Sequence, residues 1–218
     1  MNVLAVDGAL GAFSAAIACD GQIAASSSET GNIALERGLI IVQDVFDRAR
    51  LVPERIDRLA VGVGPGGFTG LRIAIAYAKS LATVWKLPLV PISSFDLLEF
   101  GDDYDPVLAV VVGRPGVISA RYRSASEVRR ASGRIADVLG ELLPAGIERP
   151  APITVVGSPE DVLHALAERA IIVRNVAPLV VPAAAAAALA APLRTPPGSP
   201  HEVRADYGEL PAAKMPKF

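Results

Sequence analysis

The chain has 218 residues, of which 51% are hydrophobic and 20% charged, with a mean hydropathy of +0.41. At roughly 150 residues per domain this is one large domain or two small ones, and the apolar content excludes a chain too polar to offset the entropy of folding. With 21 basic and 23 acidic residues the net charge is -2, which excludes the basic footprint of a protein that grips nucleic acid by itself, so any RNA would be held by another subunit.

A membrane-spanning helix needs about 20 uninterrupted apolar residues, and the Ala-rich tract from Ala183 to Ala191 is fenced by Pro182 and Pro192. The start, Met1 to Asp7, lacks the basic region of a signal peptide, so the expected location is cytoplasmic, with no membrane partner. A single cysteine, Cys19, makes neither an internal disulfide nor a cysteine-based zinc site, in keeping with a reducing compartment.

In chain order, residues 2–6, 13–18 and 22–27 read as strands, with an Asp20-Gly21 turn whose positive φ angles suit a hairpin. Residues 34–50 read as a helix, with Leu35, Leu39, Val42, Val45, Phe46 and Ala49 at helical spacing and Pro53 beyond its end. A strand over 58–63, a glycine-rich loop, a helix over about 69–85 and a strand over 89–92 follow. Ser93 and Ser94 are candidate N-caps for a helix through Phe100. This alternation predicts a partly parallel sheet with helices against it. A second lobe is expected from 105 to 192, with apolar strands at 107–112 and 117–122, a helix near 135–143, a strand at 153–156 and a helix opening at Ser158-Pro159-Glu160. The Ala-rich helix opened by Pro182 closes that lobe, and 193–218 is a Pro-rich tail.

The most informative stretch is Gly62-Val63-Gly64-Pro65-Gly66-Gly67-Phe68-Thr69-Gly70-Leu71-Arg72. Gly62, Gly64 and Gly67 satisfy the spacing of a dinucleotide-binding loop, but the next strand ends in Ser93-Ser94 with no acid for a ribose hydroxyl. No Gly-Lys-Ser/Thr follows for a Walker loop either. Two readings remain. Asp7, Gly64, Gly66, Gly67 and Thr69 form an anion site at a helix N-terminus, or the glycines make a tight turn that brings strand and helix together. Asp7 is correspondingly a turn former or a magnesium or phosphate-site residue. The helix after the loop carries only Arg72 and Lys79 as charges between Leu71 and Trp85. Its row Gly70, Ala74, Ala78, Ala82, with Leu71 and Ile75, is either ordinary core or a face covered by another chain.

Catalytic sets are missing from the pattern. His164 and His201 stand apart, no metal-binding His-x-x-x-His occurs, and no Gly-x-Ser-x-Gly elbow is present, so neither a metal site nor a catalytic residue is assigned. Cys19 reads as a small core residue.

Residues Met1 to Asp7, Val61 to Ile73 and Val90-Pro91-Ile92-Ser93-Ser94 closely resemble the bacterial TsaB (YeaZ) family over about the first hundred residues. The resemblance implies an α/β, two-lobed fold of the actin, Hsp70 and sugar-kinase type (RNase H-like), with lobe one at 1–104. It implies a non-catalytic subunit in tRNA threonylcarbamoyladenosine formation, whose partner is the transferase TsaD with TsaE as accessory, and tRNA reached only through the complex. A homodimer is expected when the chain is alone. Cofactors are expected to be absent from the isolated chain, with ATP or ADP only at the complex interface. Leu35, Leu39, Val42, Phe46, Gly70, Leu71, Ala74, Ile75, Ala78 and Ala82 are the expected partner surface. The chain departs from the family pattern at Asp7-Gly8-Ala9-Leu10, which lacks hydroxyls that could support a phosphate. It departs again at Ala34-Leu35-Glu36-Arg37 and at Val112 to Ser119, where family acids are gone. The competing reading is a kinase-like or metallopeptidase-like enzyme of the same fold class.

Overall fold

The computed structural model describes residues 1–31, 37–101, 104–143, 152–157, 160–175 and 183–208. The first lobe is a five-stranded sheet in the order β3-β2-β1-β4-β5. β1 (Asn2–Asp7), β2 (Ala12–Cys19) and β3 (Gln22–Thr30) run antiparallel, and β4 (Arg58–Gly62) and β5 (Leu89–Ile92) are parallel to β1 and to each other. The predicted hairpin turn is present, with Asp20 at φ 47 and Gly21 at φ 81, the left-handed geometry that lets strand twist carry through a two-residue turn.

Both faces of this sheet are covered. Leu4 and Val6 of β1, with Phe13, Ala15 and Ile17 of β2, face α1 (Gly38–Ala49) and α2 (Phe68–Trp85). Val3 and Ala5, with Ala16, Ala18 and Ala60, face α6 (Ala183–Ala190). Alanine meets alanine on that second face, so α6 lies close to the sheet. The Ser14 hydroxyl accepts the Ala184 N–H at 3.2 Å, satisfying a first-turn amide. α3 (Ser94–Leu98) is shorter than the expected helix and starts where Ser93 accepts the Phe95 N–H at 3.3 Å.

The second sheet has the order β10-β9-β6-β7-β8. β6 (Val107–Arg114), β7 (Val117–Arg123) and β8 (Val128–Arg134) are antiparallel, and β9 (Ile153–Val156) and β10 (Val173–Asn175) add parallel strands beside β6. One face packs on α4 (Ile135–Leu142) and α5 (Glu160–Glu168) through Leu108, Val110, Ile118, Val138, Leu139 and Leu166. The opposite face meets α3, where Phe95 and Leu98 pack on Val107, Ala109 and Val111.

Several expectations are corrected. α1 starts at Gly38, and Ala34, Leu35 and Glu36 lie outside the described residues, as do Ser158, Pro159 and Pro182. β8 and β10 were not foreseen: β8 is an Arg-rich edge strand with no hydrophobic run, and its register comes from pairing with β7. The Ala-rich helix does not close the second lobe. α6 packs on the first sheet, where its alanines meet Val3, Ala5, Ala16, Ala18, Ala60, Val90 and Ile92. Tail residues also return to lobe one, where Val203 is buried in the core beside α2. Among the described residues no helix is long and apolar enough to cross a membrane.

Ala185→Leu should overpack the α6 face and lower stability by about 1–3 kcal/mol. A urea midpoint shift, with faster hydrogen exchange in β1 and β2 rather than β6 and β7, checks both the cost and the placement of α6 in lobe one.

Candidate functional site

The glycine loop joins β4 to α2 where the two lobes meet. Asp7, the last residue of β1, is fully buried beneath it. Its Oδ1 accepts the N–H groups of Ala9 at 3.1 Å and Leu10 at 3.4 Å, while Oδ2 lies where a side chain at Gly62 would have to go and has no hydrogen-bond partner. That contact explains the first glycine of the motif: any Cβ there collides with the carboxylate. Burial raises the Asp7 carboxyl from its ordinary value to about 6, against the opposing pull of the Leu10 and Ala9 amides.

The loop is filled by its own chain. The Gly67 N–H, one of the amides expected to be offered to an anion, donates to the Ala9 carbonyl at 2.8 Å. Gly64, at φ 97, lies against the Asp206 carbonyl, and the Asp206 N–H donates to the Val63 carbonyl at 2.7 Å. Thr69 is exposed on the first turn of α2. With a buried carboxylate behind it and a loop amide already used, this set does not fit a nucleotide phosphate, and no step is derived through one.

The small-residue row lies in the chain's own core. Gly70, Leu71, Ala74, Ile75, Ala78 and Ala82 are all buried against the first sheet, together with Val42 and Phe46 of α1. These residues bring helix and sheet together and leave nothing for another chain, which corrects the expected partner surface at those positions. Leu35 lies outside the described residues. Leu39 alone of the expected set is outward, 54% exposed beside Ile40 at 57%.

What faces out is a different row, which the sequence reading missed. On α2, Ala76 and Ser80 are exposed, Ile73 and Tyr77 are half-buried, and Val84 is 75% exposed. α1 adjoins this row, because Gly38 packs on the rings of Tyr77 and Phe13, and edge-to-face pairs Phe13–Tyr77 and Phe46–Trp85 lock the two helices to one core. The outward row of the two helices carries Leu39, Ile40, Ala76 and Val84 among exposed Gln43, Asp47, Arg48, Arg72, Ser80 and Thr83. Spacing alone could not find it, since an almost uncharged helix looks the same from every side.

Among the described residues no three His, Cys, Asp or Glu side chains converge as metal ligands. His164 is exposed beside Glu168 at 3.3 Å, and His201 lies exposed in a short 3-10 turn (Pro200–Glu202). Cys19 is partly buried at the end of β2.

Two lobes, each on a mixed five-stranded sheet, with a glycine loop at their junction, define the actin, Hsp70 and sugar-kinase class of fold. A family model described as TsaD, tRNA N6-adenosine threonylcarbamoyltransferase, matches residues 35–177, well over half of the chain. The tRNA threonylcarbamoyladenosine biosynthesis protein TsaB of Escherichia coli K12 is 34% identical over 122 residues, which are 54% of this chain and 53% of that protein. The chain thus spans about half the length of the curated relatives it matches. The solved structure of YeaZ from Pseudomonas aeruginosa is 25% identical, with a TM-score of 0.61 over 87% of this chain and 90% of that one. A Pseudomonas aeruginosa protein described as similar to peptidase YeaZ has the same fold, with a TM-score of 0.68, 23% identity, and coverage of 95% of this chain and 99% of that one. The chain belongs to the TsaD-related family, on its TsaB (YeaZ) side.

Two outcomes follow from the site. Ala78→Arg places an unpaired charge in the core and should cost more than about 3 kcal/mol, so the variant loses its cooperative melt rather than only a partner. For Asp7 the folded pKa lies above the unfolded one, so the folded state holds the proton more tightly. The contribution is full below the unfolded value near 3.8 and is lost as pH rises through about 6. That rise corresponds to about 3 kcal/mol. Denaturant titrations between pH 4 and 7 should show Asp7→Asn losing this downward slope relative to the parent chain; parallel curves would contradict it.

Proposed function

We propose that the chain is a supporting, non-catalytic subunit for formation of threonylcarbamoyladenosine on tRNA, and that it holds a TsaD-type transferase through the outward face of α1 and α2. The observation that carries this reading is the exposure of Leu39, Ile40, Ala76 and Val84 on two helices whose inner faces are buried in the chain's own core. An apolar surface on paired, core-locked helices is rigid before binding, so docking orders little backbone. The names of the relatives supply the chemistry: TsaB is described as a biosynthesis protein for the modified base and the family model as the transferase. The net charge of -2 favours tRNA contact through the partner rather than through this chain.

The same surface would pair two copies when no partner is present, since a self-complementary apolar patch is most simply hidden by a twofold axis. A TsaE-type ATPase is the expected accessory, and any ATP or ADP would sit at a surface completed by the complex. The rival reading, a kinase-like or metallopeptidase-like enzyme, would require Asp7 to reach a ligand, and Asp7 is buried under Gly62 with two backbone amides on it.

Ile40→Asp and Ala76→Arg each put a charge on the outward face without entering the core. Each should weaken association with the TsaD-type transferase by tenfold or more, about 1.4 kcal/mol, with the melting temperature unchanged. Titration calorimetry with the purified partner checks this, and binding equal to the parent chain by both variants would overturn the assignment of the face. Steady turnover of tRNA, peptide or ATP by the isolated chain, lost in Asp7→Asn, would overturn the non-catalytic reading.

A further inference from the structure

We propose that residues 203–208 form a releasable latch across the mouth of the cleft between the two lobes. β7 lines that cleft, and its alternate residues touch lobe one in order from hinge to mouth. Arg123 donates to the Tyr104 carbonyl at 3.2 Å and to Glu99 at 2.8 Å. Arg121 comes next, paired with Glu99 at 2.9 Å and Asp96 at 2.7 Å. Ser119 follows; its hydroxyl accepts that of Ser132 at 2.9 Å, and it meets Gly208, which lies between Ser119 and Pro65 at φ 72, where a Cβ would strike the serine hydroxyl. The segment thus supplies the last contact of the series.

Its attachments are unequal. On the lobe-one side Val203 is buried in the core and the Asp206 N–H bonds the Val63 carbonyl at 2.7 Å, so that end is anchored. On the lobe-two side stand one ion pair, Asp206 with Arg130, whose side chains are 34% and 51% exposed, and the packing of Gly208 on Ser119. Half-exposed ion pairs are weak and screened by salt, so this is the end that lets go. Asp206 is braced for the role: its Oδ1 accepts the Gly208 N–H at 2.9 Å while Oδ2 holds Arg130. Arg130 in turn lies 5.1 Å over the Phe95 ring, which Arg121 also covers at 5.3 Å, so the latch is wired to the closed lobe contact. Tyr207 rests on Phe68, the first residue of α2, at 5.2 Å between ring centroids. Release therefore uncovers the Ser119 end of β7 and leaves the segment seated on the glycine loop and the first turn of α2, while α3 and the Arg121 and Arg123 positions of β7 keep the hinge side shut.

The test is hydrogen exchange on the isolated full chain, so its outcome does not depend on any partner. Arg130→Met, Asp206→Asn and Gly208→Val should each speed exchange roughly three- to tenfold in the peptides covering 117–123 as well as 203–208, with the anchored 63–67 region, far-ultraviolet circular dichroism and the melt unchanged. The Arg130→Met, Asp206→Asn double variant should exchange no faster than either single one, the signature of a shared contact. Raising salt should accelerate the parent chain toward the variants and leave the double variant unmoved. Unchanged exchange in all three, additive effects in the double variant, or acceleration confined to 203–208 would each overturn the latch; the last would make the segment a passive tail.

Discussion

The structure depends on burying both faces of one sheet whose central strand, β1, is apolar on each side. A strand with Val3 and Ala5 on one face and Leu4 and Val6 on the other has no face to give to water, so it demands a helical layer above and below. The upper layer comes from α1 and α2, which follow directly in the chain. The lower one has to be fetched from residues 183–190, after the whole second lobe has been built. This return crossing ties the ends of the chain together and brings the tail to the junction of the lobes. Small residues set the spacing in both layers: the Gly70, Ala74, Ala78, Ala82 row above and the alanines of α6 below. Close approach then makes backbone and Cβ contacts stand in for long side chains, at the packing density of a protein interior.

The lobes are joined by a different kind of contact. Glu99, a largely buried carboxylate, is held by two guanidinium groups, and Asp96 is shared between Arg121 and Arg194. A buried ionic network contributes less net stability than its number of contacts suggests, because desolvation offsets much of the attraction, but it admits only one register. Arg194 extends that network to the segment following α6, and Arg58 fastens the same segment by donating to the carbonyls of Ala191 and Arg194. Sheet, lobe interface and returning chain thus constrain one another.

This arrangement bears on function through what it leaves outside. The glycine loop is consumed by internal contacts: Asp7 from below, Ala9 from the side and Asp206 from above. A loop filled in this way stiffens the start of α2, and a stiff α2 presents its outward residues beside Leu39 and Ile40 as a formed surface. On the proposed function, that formed surface is what the chain would offer to a transferase.

The sequence by itself determined much of this protein. Alternating apolar residues, the Asp20-Gly21 turn, the glycine loop and the serine cap defined the first lobe's strands and helices in the right order, because each rests on contacts a few residues apart. It also carried the family, since the long glycine motif answers to packing that tolerates no substitutes, as Gly62 against Asp7 shows. Three things were decided only by tertiary structure. The placement of α6 in lobe one was invisible because a helix of alanines with the single Leu189 has no amphipathic face to read. β8 was invisible because a strand with Arg129, Arg130 and Arg134 and no hydrophobic run forms only when β7 pairs with it. The small-residue row reads as a partner surface because period and composition show only that a helix is apolar, while the position of its own sheet shows that this row is buried in the chain's own core.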